Sequence, residues 1–340
     1  MRAVEYAAAA TSHGGKAWQR LAAGLRGYGF GDVCTLSNPT SGRCDGVTPS
    51  RTAVVLCEDT RGRRLCMKFY DESEQATEFL RLHVTCLTAL RGVIPVPEIV
   101  GVEWTAERFG LPVLVTTYLG EPLDHAISRL SGDARERIAG QIADSLVATS
   151  RLDLAASGLG IPKDEEMRRS VARRFADDSA WSAEHAPAEP EAVRDLVLRG
   201  AKILASAEVT SGAARLCHSD LVTSNILVRD GSLSGLVDWD YAEVAPPELD
   251  LGMCMLGLLV SIPIARRERV CMLEAMLERY EREAGGLDAG TMSSALVFAL
   301  DALLDWTIGG KDAPLDDLTW ALSGIMKAIH ERLPLGKALC

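Results

Sequence analysis

The chain has 340 residues, 47% hydrophobic and 24% charged, the balance of a globular protein large enough to bury a core without metal or disulfide support. Its formal charge of -11 excludes a nucleic-acid binder working through a basic footprint, and leaves open both a cationic substrate and a merely solubilising surface. Nine cysteines make an odd set without a CxxC pair, which argues against a secreted disulfide framework or a zinc site and for free thiols in a reducing cytoplasm.

The N-terminal stretch MRAVEYAAAATSHGG offers only four alanines as its apolar part, too little for a signal peptide. Residues 15–27 predict a short amphipathic helix with Trp18, Leu21 and Leu25 on one side. A polar Gly/Pro/Ser-rich stretch over 37–51 then leads into a β-branched strand from Thr52 (TAVVLCED), a turn at Thr60–Gly62 and a returning strand RRLCMKFY, together a hairpin. Residues 72–91 predict a helix, which Pro95 and Pro97 of IPVPEIVGVEW end in favour of an extended strand. LPVLVTTYLG, at 111–120, is the last strand of this half.

Past Gly120 the pattern turns helical. Ile138, Ile142, Leu146 and Leu152 mark a helix over 133–152, and 164–207 is a charged helical stretch broken by HAPAEPE. Everything beyond 247 is helical. Leu251–Ala265, the longest apolar run, is too short to span a membrane, is interrupted by Pro263 and predicts a buried core helix. Inside this helical part lies one β island: strand Ile226–Val228, turn Arg229–Ser232, strand Leu233–Val237. No internal repeat occurs.

The stretch CHSDLVTSNI places Asp220 and Asn225 five residues apart, and both are poor strand and mid-helix residues. Asn225 enters the β island and Asp238 leaves it. A two-stranded hairpin brings its ends together, so the two are expected close in space. An amide carbonyl beside a carboxylate makes a pair of hard oxygen donors suited to Mg²⁺. Asp220 lies near enough to face the same point without being a ligand, the arrangement phosphoryl transfer requires.

The run His218-Ser219-Asp220, Asn225, the hairpin, VDWD (237–240) and ELDLG (248–252) resembles the aminoglycoside phosphotransferase family, whose pattern is HGD-x4-N, then IDW-D/E, then YDLA. The resemblance implies an α+β, bilobal protein-kinase-like fold, with a small N-terminal antiparallel sheet plus helix and a large, mainly helical C-terminal lobe. The corresponding expectation is a nucleotide-binding lobe over 1–116, a hinge over 117–120 and a catalytic and substrate-binding lobe over 121–340. It further implies that Asp220 is the catalytic base, that Asn225 and Asp238 are the magnesium ligands, and that His218 and the buried Asp250 support the loop. Ser219 departs from the family's glycine, and Ser150 in LVATSRLD stands where the family often has histidine. Asp240 remains open between a second metal contact and the capping of the next turn.

For the nucleotide, ATP or GTP, the resemblance points to Lys68 in LCMKFY as the residue that meets the phosphates. The phosphate loop falls before TAVVL, with Gly46–Arg51 as candidates and Ser50 among them. The helix after Lys68 should carry its glutamate partner; counting back from IPVP lands near His83, and of the nearby acids Glu74 and Glu78 the second is the expectation. VLVTTYLGEPL resembles the family hinge, which makes Thr116 the residue behind the adenine pocket and the backbone of Thr117, Tyr118 and Leu119 its hydrogen-bonding edge. Glu278, Glu281, Asp301 and Asp305 fall on C-terminal helices that line the family's acceptor pocket.

The function implied is a cytoplasmic, Mg²⁺-dependent O-phosphotransferase acting on a hydroxyl of a small molecule. The expected acceptor is an antibiotic (aminoglycoside, nucleoside, peptide or macrolide), modified in resistance, with no nucleic-acid or membrane partner. Two alternatives stay open: a metabolite kinase of the same fold, for choline, methylthioribose, homoserine or a sugar amine, and a nucleotide-binding regulatory pseudokinase.

Overall fold

Lys16–Arg26 forms helix α1 in the computed structural model, which describes residues 16–30, 33–37, 52–157, 159, 164–208, 214–308 and 314–339. Trp18, Leu21 and Leu25 are buried along one side of it, as their spacing predicts. The described residues fall into two units, one within Met1–Arg91, Val96–Leu119 and Asp238–Asp240, the other within Gly92–Pro95, Gly120–Val237 and Tyr241–Cys340.

In the first unit, β1 (Val33–Ser37), β2 (Thr52–Asp59), β3 (Arg64–Tyr70), β4 (Ile99–Glu103) and β5 (Val113–Thr117) make an antiparallel sheet in the order β1-β2-β3-β5-β4. Side chains alternate between its faces. On β3, Leu65, Met67 and Phe69 join a core with Leu21 and Leu25 of α1 and Val113 of β5. Cys66, Lys68 and Tyr70 belong to the other face, and the register pairs Cys66 with Thr116 and Lys68 with Leu114. Helix α2 (Glu74–Leu90) follows β3, started by Ser73, whose hydroxyl accepts from the Ala76 N–H at 3.2 Å.

The second unit holds helices α3 (Gly132–Ser150), α4 (Asp164–His185), α5 (Glu191–Ala205), α6 (Glu248–Val260), α7 (Arg266–Ala284), α8 (Ala289–Ile308) and α9 (Leu315–Glu331). HAPAEPE does break α4 from α5, through a short 3₁₀ turn at Ala186–Ala188. Helix α6 is apolar all round apart from Glu248 and Asp250 in its first turn, and every one of its residues is buried. It crosses α8 closely, since a Cβ on Gly252 would sit 2.4 Å from the Ala295 carbonyl oxygen. α8 is long and apolar enough to cross a membrane, yet 72% of its most apolar stretch is buried inside the protein, as in a core helix.

Three short strands, β6 (Glu121–Pro122), β8 (Ile226–Arg229) and β9 (Ser232–Leu236), form the β island, and β7 (Arg215–Cys217) pairs antiparallel with β10 (Glu243–Ala245). The hairpin turn uses Asp230 and Gly231, both at positive φ, as a two-residue primed turn requires. Gly120 has no room for a side chain: a Cβ there would lie 2.3 Å from the Val228 carbonyl oxygen.

Candidate active site

The loop that carries Asp220 is fixed by backbone clamps. It begins where β7 ends at Cys217. Asp250, in the first turn of α6, accepts the N–H of His218 at 2.7 Å and of Ser219 at 2.9 Å. Burial pushes the Asp250 carboxyl up, against the opposing pull of those two N–H groups. His218 is fully buried; its Nε2–H donates to the Val237 carbonyl at 2.7 Å, while its Nδ1 accepts the Asp220 N–H at 3.3 Å. The two bonds agree on one neutral tautomer. Both His218 and Asp250 therefore brace the loop.

Asn225 closes the other end. Its side-chain Nδ2 donates to the Asp220 carbonyl at 2.8 Å and to Asp220 Oδ2 at 3.1 Å. Two acceptors on one end of the amide fix which end is nitrogen, and leave Oδ1 as the donor available to a hard cation. The backbone of Asn225 accepts from the Val237 N–H at 3.0 Å, which extends the hairpin ladder by one step to the residue before Asp238. Asp238 itself sits at φ +71, and Ser219 at φ +66. Both are in the left-handed region that non-glycine residues enter at a cost, and such residues cluster at functional sites.

Ser219 stands where the family pattern has glycine, and its buried hydroxyl has no hydrogen-bond partner. Ser219→Gly is expected to raise stability by about 1 kcal/mol, the strain and the unpaired hydroxyl being partly offset by glycine's greater freedom when unfolded. Urea unfolding of the two proteins checks this; an equal or lower midpoint for the glycine variant refutes it.

Lys68, only 7% exposed, makes two ion pairs in the first unit: with Asp238 Oδ1 at 2.5 Å and with Asp240 Oδ2 at 2.6 Å. Burial favours its neutral form, but the two carboxylates outweigh that and raise its pKa further. Asp240 lies in a 3₁₀ turn, Trp239–Tyr241, so the strand does not continue past Asp238. Its Oδ1 accepts from the Tyr70 hydroxyl at 3.0 Å and pairs with His83 Nδ1 at 2.8 Å. Burial would raise its carboxyl, but Lys68 and His83 hold it well below the usual range. Glu78 is exposed on α2, so the expected partnership with Lys68 is corrected: the carboxylates that meet the lysine come from the segment after the hairpin.

An amide oxygen and a carboxylate suit Mg²⁺, which is held through one or two carboxylates with the rest of its shell from water and phosphate. Among the described residues no three His, Cys, Asp or Glu side chains form a ready-made metal cage. The Asn225 amide oxygen and the Asp238 carboxylate are each a donor of the kind this sparse manner of binding uses.

Residues 50–292 match the phosphotransferase enzyme family. The chain belongs to that family. Among solved structures of this phosphotransferase fold, it is 16% identical to wild-type aminoglycoside 2'-phosphotransferase-IIIa in its GDP complex, covering 88% of this chain and 94% of that one with a TM-score of 0.57. A thermostable mutant of aminoglycoside phosphotransferase APH(4)-Ia, in ternary complex with ADP and hygromycin B, gives 15% identity, 90% and 96% coverage and a TM-score of 0.57. Macrolide 2'-phosphotransferase MphH from Brachybacterium faecium gives 18%, 89% and 97%, and 0.53. No curated protein sequence matches the chain. This phosphotransferase therefore has the kinase-like fold and is a small-molecule kinase.

Of the nucleotide residues expected in this phosphotransferase, Ser50 and the loop at 46–51 lie outside the described residues. Thr116 is buried on the sheet face that carries Lys68. The hinge expectation narrows. The Thr117 N–H donates to the Glu98 carbonyl at 3.0 Å and the Tyr118 N–H to the Arg64 carbonyl at 3.4 Å, so both amides are taken up inside the sheet. The backbone of Leu119 is the part of that edge whose N–H is not committed in this way.

Of the four acids expected on acceptor-side helices, Glu278, Glu281 and Asp305 are exposed and Asp301 is buried. Asp301 Oδ2 accepts from Arg174 Nε at 2.9 Å, and Asp178 and Glu243 flank the same guanidinium. Burial pushes the Asp301 carboxyl up to about 7, with Arg174 opposing and Asp178 adding to the rise. Between about 4 and about 7 the folded protein thus keeps a proton that the unfolded chain has lost, and Asp301 withdraws stability as pH rises through that window. Asp301→Asn should remove this slope: thermal melts of variant and wild type should diverge in the variant's favour from pH 4 to pH 7, and parallel curves would refute the assignment. Ser150 uses its hydroxyl on the Val147 carbonyl at 2.8 Å, finishing its own helix.

Proposed function

We propose that this phosphotransferase transfers the γ-phosphoryl group of ATP or GTP, with Mg²⁺, to a hydroxyl of an antibiotic, conferring resistance, and works in the cytoplasm. Asp220 orients the acceptor hydroxyl and takes its proton. Asn225 Oδ1 and the Asp238 carboxylate hold the metal, which when bound neutralises the charge on the phosphates. Lys68 grips the α- and β-phosphates, with Thr116 behind the adenine and Leu119 at its edge. The observation that carries this reading is the pair of hydrogen bonds the Asn225 amide nitrogen donates to Asp220, which holds the base and presents an amide oxygen from the same residue.

Nucleotide use is supported by similar folds solved with GDP and ADP, and the acceptor class by complexes of that fold with kanamycin and hygromycin B and by a macrolide 2'-phosphotransferase. Cys57, Cys66, Cys86, Cys217, Cys254 and Cys271 are free thiols, which suits a reducing compartment. The test is an acceptor panel of aminoglycosides, macrolides, nucleoside and peptide antibiotics, with choline, methylthioribose and homoserine beside them. Each acceptor is incubated with ATP or GTP, with Mg²⁺ or with a chelator, and product is read by mass spectrometry. Gain of one phosphoryl group on an antibiotic only when Mg²⁺ is present is the expected result. Phosphorylation of a metabolite alone, or of nothing at all, would overturn the antibiotic assignment.

A further inference from the structure

The lysine of this site has an acid beside it, but not from the helix where the family pattern seeks one. The inward position of α2 is occupied by His83, 5% exposed, while Glu78 is exposed on the same helix. The partner arrives 172 positions after Lys68, at Asp240. Lys68 and Tyr70 are two residues apart on one strand, so the pleat puts both on the same face. Asp240 meets both there, its Oδ2 on Lys68 and its Oδ1 on the Tyr70 hydroxyl and His83 Nδ1, while that hydroxyl and His83 Nδ1 are also 2.9 Å apart.

The two carboxylates on Lys68 are unlike. The Asp238 side chain is 38% exposed and is offered to a cation in the reading above. The Asp240 side chain is 4% exposed and has both oxygens engaged by fixed donors. When Asp238 turns to a metal, Asp240 is the anchor that stays. His83 makes sense in the same terms: a glutamate there would set a second buried carboxylate against Asp240, whereas an imidazole supplies a donor.

We propose that Asp240, locked by Tyr70 and His83, is the positioning residue that aims Lys68 at the nucleotide phosphates, in place of an acid on α2. This rests on the reading of Lys68 as the phosphate-gripping cation. Affinity for MgADP, set against affinity for adenosine, isolates the phosphate contact and needs no acceptor. Lys68→Met is the benchmark, and should weaken MgADP binding about tenfold or more while leaving adenosine unchanged. Asp240→Asn should reproduce most of that selective loss. His83→Glu added to Asp240→Asn should recover at least about threefold of it by returning an acid to α2, which a purely structural role for Asp240 would not produce.

If Lys68→Met is impaired but folded Asp240→Asn binds MgADP as wild type does, the proposal is overturned and the Lys68 reading stands. If Lys68→Met itself binds MgADP normally, both fall. Should Asp240→Asn not fold, Tyr70→Phe and His83→Gln decide: each keeps the carboxylate but loosens it, and each should weaken MgADP selectively. Wild-type affinity in both overturns the proposal.

Discussion

Replacing Asp238 by alanine is expected to abolish Mg²⁺-dependent turnover, a loss of at least about 10³-fold, because a metal clamp on transferring phosphates supplies several kcal/mol of transition-state stabilisation and each 1.36 kcal/mol is tenfold in rate. The fold should survive. Asp238 is partly exposed, and Lys68 retains the buried carboxylate of Asp240 when Asp238 is gone. The backbone at 238 is already left-handed with a Cβ in place, so alanine costs only the modest preference of aspartate over alanine for that conformation. Rates measured across a Mg²⁺ titration, with circular-dichroism melts as the control for folding, check the outcome. A folded variant turning over at the wild-type rate would remove Asp238 from the metal site.

Asp220→Asn ranks second. The new amide can still accept from Asn225 Nδ2, so the loop keeps its shape, while the group loses the ability to take a proton. A positioned base contributes roughly 10²–10⁴-fold, and the loose transition state of phosphoryl transfer places the expected fall in kcat at the lower end, about 10². Nucleotide KM should hardly move, since the side chain addresses the acceptor. An unchanged kcat would take Asp220 out of the mechanism.

The parts of this design that were legible from residues alone are the ones written locally. The hairpin of β2 and β3 showed itself through alternation and a turn, and the β island through Asp230-Gly231 between two apolar runs. The place of Lys68 on the returning strand was legible in the same way, while its role came from the resemblance. Its partner was not, because counting along α2 can find only an acid that is on α2, and the acid in use lies on a segment brought in by tertiary folding. Asp240 could be read either way until it was known whether the chain continues as strand or turns after Asp238; it turns. β1 escaped notice beside a polar stretch, and the three-residue strands β7 and β10 are too short to carry a period. Asp301 looked like its neighbours on α8, and burial against Arg174 of another helix is what sets it apart.

The crossing of α6 over α8 has a consequence for how inactivating changes can arise. Gly252 lies two residues beyond Asp250 and touches the neighbouring backbone, so any larger residue must lever α6 aside. The carboxylate that fastens the loop would travel with it. Activity could thus disappear through a substitution that contacts neither nucleotide nor acceptor, and a screen for lost activity would register a lesion in helix spacing as though it were one in chemistry.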